Sequence, residues 1–381
     1  MPPVMTHLDE AVAALAPQER ARFDRLYAFA QSTARIVPPE KMEGWIAKTF
    51  RYLGPTPQAV LDVIRHQPIT HVVNRATGQA TLFNAVRSQR PMEATDTSDI
   101  AQEVERSRRG PFCRPLELTP ANTFGRVPEP EAGADTASPR RITAANVAAY
   151  DGWHGLVIFE DHDPLRFRTD KFQPEEIADL FATARAWADK AHAEDPQARF
   201  FLLMWNCLWK AGASIIHGHA QMVVGRKFHY GRVERLRQDA RRYATEHEAD
   251  YFDDLIAVHE ALGLADRCGR VAMLAHLTPT KERELVLVAP SYDDPDLPKA
   301  VWRALKTYAA LDVKAYNLAV HMPPLGDPDP AWDGFPTLVY LVDRGDPSAR
   351  TTDVAGMELY ASTVVSADPF AVAETLRRAG A

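Results

Sequence analysis

The chain has 381 residues, of which 46% are apolar and 25% charged, an ordinary globular composition with room for two or three domain-sized units or one large duplicated unit. A net charge of −7 gives no general basic field, so bulk electrostatic binding of nucleic acid is excluded and an anionic ligand would need a local basic cluster. Three scattered cysteines, Cys113, Cys207 and Cys268, form no disulfide framework and fit a reducing cytoplasm, the N-terminus has no basic and apolar leader pattern, and no apolar run approaches the roughly 18 residues that span a bilayer.

Residues 8 to about 66 read as helical, because Leu8, Val12 and Leu15, then Phe23, Leu26, Tyr27 and Phe29, recur at helical spacing. From Ile69 to Leu82 two short strands flank a turn at Thr77-Gly78. Residues 92–107 are polar and 125–140 are rich in Pro, Gly, Ala and Asp; both read as loops. Gly155–Phe159 is an apolar strand. Asp170–Ala193 is a helix, with Pro174 and Glu175 near its start and Ile177, Leu180, Phe181, Ala184, Trp187 and Ala188 in one stripe. Arg199–Trp205 is a strand ending at Asn206, Ser214–Val224 is another, and 231–264 is charged and helical. The order then repeats as a strand at Arg283–Ala289, a helix at Leu297–Val313 and strands at Ala315–His321 and Phe335–Val342. The expectation is an α+β fold of two duplicated halves, each an antiparallel sheet with a helix packed on one face, behind an N-terminal helical extension. The units would be 1–66, 67–230 and 231–381.

The segment Asn206-Cys-Leu-Trp-Lys-Ala-Gly-Ala-Ser-Ile-Ile-His-Gly-His-Ala-Gln221 concentrates the chemistry. With Ser214–Val224 extended, alternation puts His217, His219 and Gln221 on one face. Upstream, Gly212, Ala213 and Ser214 make a small-residue turn whose backbone N–H groups can approach a phosphate, with the Ser214 hydroxyl as a further donor. A neutral imidazole is a nucleophile at pH 7, and Gln221 can donate to a phosphate oxygen without repelling it. The residues alone also allow two metal ligands, or histidines that are simply satisfied within the structure.

Asn206, Ala211-Gly-Ala-Ser214 and His217-x-His219-x-Gln221 together resemble the active-site signature of the galactose-1-phosphate uridylyltransferase family, within the histidine triad superfamily. The likeness extends over roughly residues 69–381, in histidine-triad-like halves. It implies that His219 carries a nucleoside monophosphate covalently, that Gln221 binds its phosphate beside His217, and that Asn206 and Ser214 hold the phosphate or the nucleophile's surroundings. His71 to Pro91 is similar to the family's N-terminal stretch, which implies that Arg87 and Arg90 face substrate phosphates. Asn146 to Ile158 resembles its opening strand and implies that Asn146 and His154 lie near the nucleotide, although the usual Pro is missing. Ala355-Gly-Met-Glu-Leu-Tyr-Ala361 is similar to the closing motif and implies that Glu358 lies near the sugar.

The same resemblance implies a structural zinc, of whose four ligands Cys113, His162 and His217 are kept and Gly110 replaces one. His321 matches a ligand of a second metal site, but Pro336–Val342 has no H-x-H, so that site is expected to be lost. No organic cofactor is implied. The Lys, Phe and Tyr that face the nucleotide sugar in the family are absent from Thr352–Glu358, so the acceptor is open. The expectation is transfer of a nucleoside monophosphate, UMP favoured, from a nucleotide sugar to phosphate or a sugar 1-phosphate. The alternatives are an adenylyl-transferring phosphorylase of a diadenosine polyphosphate or nucleotide sugar, and a non-catalytic nucleotide-binding protein. No nucleic-acid or membrane partner is expected, the sparse cysteines fit the cytoplasm, and the family implies a homodimer.

Overall fold

The computed structural model describes residues 4–89, 99–129 and 141–380. Among them thirteen strands form two sheets: β1 Tyr27–Arg35, β2 His66–Asn74, β3 Ala80–Phe83, β4 Ile142–Ala145, β5 Trp153–Ile158, β6 Ala198–Cys207, β7 His219–Arg226, β8 Ala265–Cys268, β9 Val271–Ala275, β10 Glu282–Ala289, β11 Tyr316–His321, β12 Thr337–Asp343 and β13 Thr363–Val365. The large sheet has the order β4-β5-β7-β6-β11-β12-β10-β9-β8. Each half contains a strand, a helix and two strands, with β4 added at one edge of the sheet and β9 and β8 at the other. In the first half the helix Pro174–Glu194 links β5 to β6, and in the second the helix Leu297–Ala310 links β10 to β11. The central pair, β6 and β11, joins the halves into one continuous antiparallel sheet, with Asn206 opposite Asn317.

Alternation divides this sheet into two unlike faces. The face carrying Ala220, Met222, Leu203, Trp205, Leu318, Val320, Val339 and Leu341 packs into the main core with Ile177, Leu180, Ala184, Trp187, Ala300, Val301 and Ala304 of the two helices. Gly155 belongs here because a Cβ at this position would meet the fully buried Trp187 ring at 2.5 Å. The opposite face carries His154, His219 and Gln221 from the first half, and Asn317, His321 and Tyr340 from the second. The pairs Met204↔Gln221, Asn206↔Asn317 and Ala319↔Tyr340 set this arrangement.

The N-terminal segment departs from the expected all-helical extension. Tyr27–Arg35 is a strand, paired along its length with β2 from Tyr27↔Asn74 to Arg35↔His66. Its own pattern is ambiguous, and the partner strand decides the outcome. The helices Pro17–Leu26, Glu40–Thr49 and Pro57–Arg65 flank it, the last two around a small separate core of Ile46, Phe50, Val60, Leu61 and Ile64. Strand β13 completes the sheet in the order β1-β2-β3-β13, tying the C-terminal segment to the N-terminal one. The expected turn at Thr77-Gly78 lies between β2 and β3, with Gly78 at φ +70°. The expected loop at 92–107 is instead helical over Ile100–Arg106, capped by Asp99; residues 92–98 and 130–140 lie outside the described residues. No described helix is long and apolar enough to cross a membrane.

Candidate active site

The expected strand at Ser214–Val224 begins only at His219, so His217 is not part of it. Between β6 and β7 the chain makes an irregular loop. Leu208 has φ +67° and Gly212 φ +93°, and the N–H groups of Gly212 and Ala213 are used inside the turn, bonded to Trp209 O at 2.9 Å and Leu208 O at 3.2 Å. Among the described residues, the N–H groups of Ser214, Ile215, Ile216 and His217 make no backbone hydrogen bond. Ala213 is buried, while Gly212 and Ser214 are exposed. Partner-free amides on an irregular loop are anion-binding donors. Of the three small residues that the sequence pattern singles out, only Ser214 keeps its N–H free among the described residues, and the other free donors are those of 215–217.

At the end of this loop, Gly218 bonds through its carbonyl to Phe159 N–H at 2.9 Å, and a Cβ there would meet the Phe159 ring at 2.8 Å. His219 follows, only 7% exposed. Its Nδ1 donates to the His217 carbonyl at 2.8 Å, which leaves the Nε2 lone pair without a hydrogen-bond partner among the described residues. Burial holds its pKa below the ordinary imidazole value, so the ring is neutral at pH 7. Phe112 packs edge-on against this ring, centroids 5.0 Å apart.

Gln221, also 7% exposed, is held by His154. The Tyr150 N–H donates to His154 Nδ1 at 3.0 Å, so the proton sits on Nε2, which donates to Gln221 Oε1 at 3.1 Å. Asn146 Nδ2 stands 3.2 Å from the same Nε2, and Asn146 Oδ1 accepts from Ala148 N–H. With its oxygen fixed this way, Gln221 keeps its amide N–H groups free of partners among the described residues. The structure thus joins Asn146, His154 and Gln221 in one chain of contacts.

Cys113, His162 and His217 also converge. The Cys113 Sγ lies 3.1 Å from His162 Nδ1 and 3.4 Å from His217 Nδ1, and the two Nδ1 atoms are 3.1 Å apart. His162 Nε2 donates to Val104 O at 2.9 Å, and His217 Nε2 donates to Phe159 O at 2.8 Å. Both protons are therefore on Nε2, and burial pushes the His217 pKa down to about 4. Two nitrogen lone pairs face each other with at most one thiol proton between three acceptors. A cation satisfies all three, and the spacings are close to the roughly 3.3–3.6 Å edges of a tetrahedral zinc site. The group could hold a metal ion.

The register of β6 and β7 carries Asn206 to the level of His219, and its Oδ1 accepts from Asn317 Nδ2 at 2.6 Å. Asn317 also donates to Ala211 O at 2.8 Å and accepts from Arg344. Neither Asn317 nor Arg344 was foreseen; matching the two halves strand against strand would have pointed to Asn317. Arg87 is exposed on a short helical turn at Ala85–Gln89 and is not brought to this group by any described contact. Arg90 lies outside the described residues. Glu358 caps the helix Gly356–Tyr360, its carboxylate accepting from Ala355 N–H at 2.9 Å. A cleft of about 350 Å³ lined by Arg25, Arg75, Arg242 and Tyr243 contains none of these residues.

No family model matches the chain, and no curated protein matches it in sequence. Solved structures do match. An ADP-glucose phosphorylase from Arabidopsis thaliana, with bound ADP-glucose, superposes with a TM-score of 0.60 at 17% identity, over 81% of this chain and 98% of that one. A GalT-like protein from the same plant gives 0.58 at 17% identity with the same coverage, and a uridylyltransferase gives 0.53 at 16% identity over 81% of this chain and 97% of that one. The chain has the α+β fold that this phosphorylase, the GalT-like protein and the uridylyltransferase share.

Proposed function

We infer that the protein is a nucleotidyltransferase that carries a nucleoside monophosphate on His219. The observation that carries this reading is the Nδ1–H bond to the His217 carbonyl, which fixes the tautomer and leaves Nε2 as a neutral nucleophile. The Nε2 lone pair attacks the α-phosphorus of a nucleoside diphosphate derivative. A P–N bond forms, the bond from that phosphorus to the bridging oxygen breaks, and the distal phosphate departs with the electron pair. An oxygen of an acceptor phosphate then attacks the same phosphorus, and the electrons of the P–N bond return to Nε2. The charge that develops on the α-phosphoryl oxygens meets the free N–H groups of 214–217 and the Gln221 amide, preset by His154. Asn206, Ser214 and the Gly212-Ala213 turn shape the phosphate's surroundings. Arg87 and Arg90 serve the substrate phosphates, Asn146 and His154 serve the nucleotide and set the Gln221 amide, and Glu358 serves the sugar.

The favoured donor is a UDP-sugar, with phosphate or a sugar 1-phosphate as acceptor. A second reading, adenylyl transfer from an ADP-sugar to phosphate, is supported by the bound ADP-glucose of a structural neighbour that this chain covers almost end to end. Cys113, His162 and His217 would hold zinc, whose bonds would lock the His217 backbone that orients His219. Incubation with radiolabelled UDP-glucose and ADP-glucose tests the reading: acid-labile label on wild-type protein, absent from His219→Asn, identifies the donor. A folded protein that binds either nucleotide without taking label is the non-catalytic alternative.

A further inference from the structure

The Asn206–Asn317 contact leads to a charged group for which the reading above has no task. Arg344, just past β12, donates through Nε and Nη2 to the two carboxylate oxygens of Asp353 at 2.7 and 2.8 Å, and through Nη1 to Asn317. Lys281 bonds the Asp353 backbone carbonyl but stands 3.7 Å from its carboxylate. Lys210, in the loop that leads to His219, donates to the carbonyls of Ala349 at 2.9 Å and of Thr351, in the segment that carries Asp353. The side chains of Arg344, Lys281 and Asp353 are 20%, 14% and 19% exposed. Two nearby carboxylates face backbone instead: Asp346 accepts from Ser348 N–H at 2.8 Å and Glu358 from Ala355 N–H at 2.9 Å.

The group lies on the His219 face of the sheet. From the strand of His219 to that of Asn317 is two inter-strand steps, about 10 Å in all, and the Arg344 guanidinium reaches back to Asn317. A guanidinium fork that grips a carboxylate with two parallel bonds has the geometry that grips phosphate. Phosphate brings more charge and more acceptor oxygens, so it can hydrogen-bond Arg344 and Lys281 together, whereas the Asp353 carboxylate is gripped by Arg344 and pairs with Lys281 only at 3.7 Å.

We propose that Arg344 and Lys281 form the subsite for the phosphate that leaves or accepts the nucleotide, and that Asp353 is an internal stand-in displaced when phosphate enters. This rests on the nucleotidyl-transfer reading for its role, but binding itself needs no covalent step. The experiment is a calorimetric titration of the full chain with inorganic phosphate, without nucleotide. Arg344→Ala is expected to weaken binding at least tenfold, and Asp353→Asn to tighten it severalfold by removing the competitor. A purely structural ion pair would make both substitutions act alike, so weaker or unchanged binding in Asp353→Asn overturns the proposal. Undetectable phosphate binding by the wild type overturns it as well. Thermal unfolding of both variants checks the fold, and Arg344→Lys, which keeps the charge but loses the fork, replaces Arg344→Ala if that variant does not fold; unchanged affinity there counts against the subsite. Label on His219 with unaltered phosphate binding removes the subsite alone, whereas phosphate effects without label remove the transfer reading and leave the subsite standing.

Discussion

His219 donates a hydrogen bond from its ring Nδ1 to the main-chain carbonyl of His217, and the ring of His217 in turn donates from Nε2 to the carbonyl of Phe159. One backbone turn therefore orients two imidazoles for different tasks. The first shows its free nitrogen to the polar face of the sheet, and the second shows its free nitrogen to Cys113 and His162.

Gln221 is expected to act through its amide N–H groups. Gln221→Ala removes them and strips His154 of its acceptor, so turnover should fall by about 10²–10³-fold with the fold retained. Gln221→Glu keeps an acceptor for His154 but sets a carboxylate against the phosphate, and should be at least as slow. Steady-state kinetics on both variants check this; an active Gln221→Glu enzyme would contradict it.

The metal reading predicts about one zinc per chain in protein purified without chelators, measured by elemental analysis. Cys113→Ala should lose most of it and unfold at lower temperature, as should wild-type protein after chelation, with recovery on adding zinc. Wild-type stability insensitive to both chelation and zinc would show that the three side chains only pack together.

Gly155→Ala tests how the site is backed. The added methyl would press on Trp187, which is fully buried under β5, so the cost should be about 1–3 kcal/mol of stability by chemical denaturation. A neutral result would mean that the helix and sheet separate easily at this point.

Acid should destabilise the protein through His259. Its Nδ1 donates to Leu255 O at 2.7 Å, its Nε2 accepts from Leu277 N–H at 3.2 Å, and burial lowers its pKa to about 3. The unfolded value is about 6.5, so below that pH the unfolded chain takes up the proton first. Stability is full above about pH 6.5 and falls toward pH 3, by up to about 1.4 kcal/mol per pH unit for this group. The slope of unfolding free energy between pH 6 and 4.5 should be shallower in His259→Gln; equal slopes would remove His259 as a cause.

Much of the polar face was legible because its key residues lie within one stretch, Asn206 to Gln221, and because strand–helix–strand–strand recurs in the second half. The same local view misled where the outcome depends on distant partners. Tyr27–Arg35 becomes a strand because β2 lies against it, and Ser214–Gly218 stays irregular because only Gly218 is held, by Phe159 and His162, while the N–H groups of 214–217 meet no neighbouring strand among the described residues. Asn317 and Arg344 gain their places only when β6 meets β11, a contact between residues more than a hundred positions apart that no local periodicity encodes.

The central claim is that the Nε2 of His219 accepts a nucleoside monophosphate. Intact-mass measurement after brief incubation with UDP-glucose or with ADP-glucose tests it most directly. The expected result is a gain of one UMP or one AMP on the wild-type chain and none on His219→Asn. An unchanged wild-type mass with both donors, or the same gain on the variant, would contradict it.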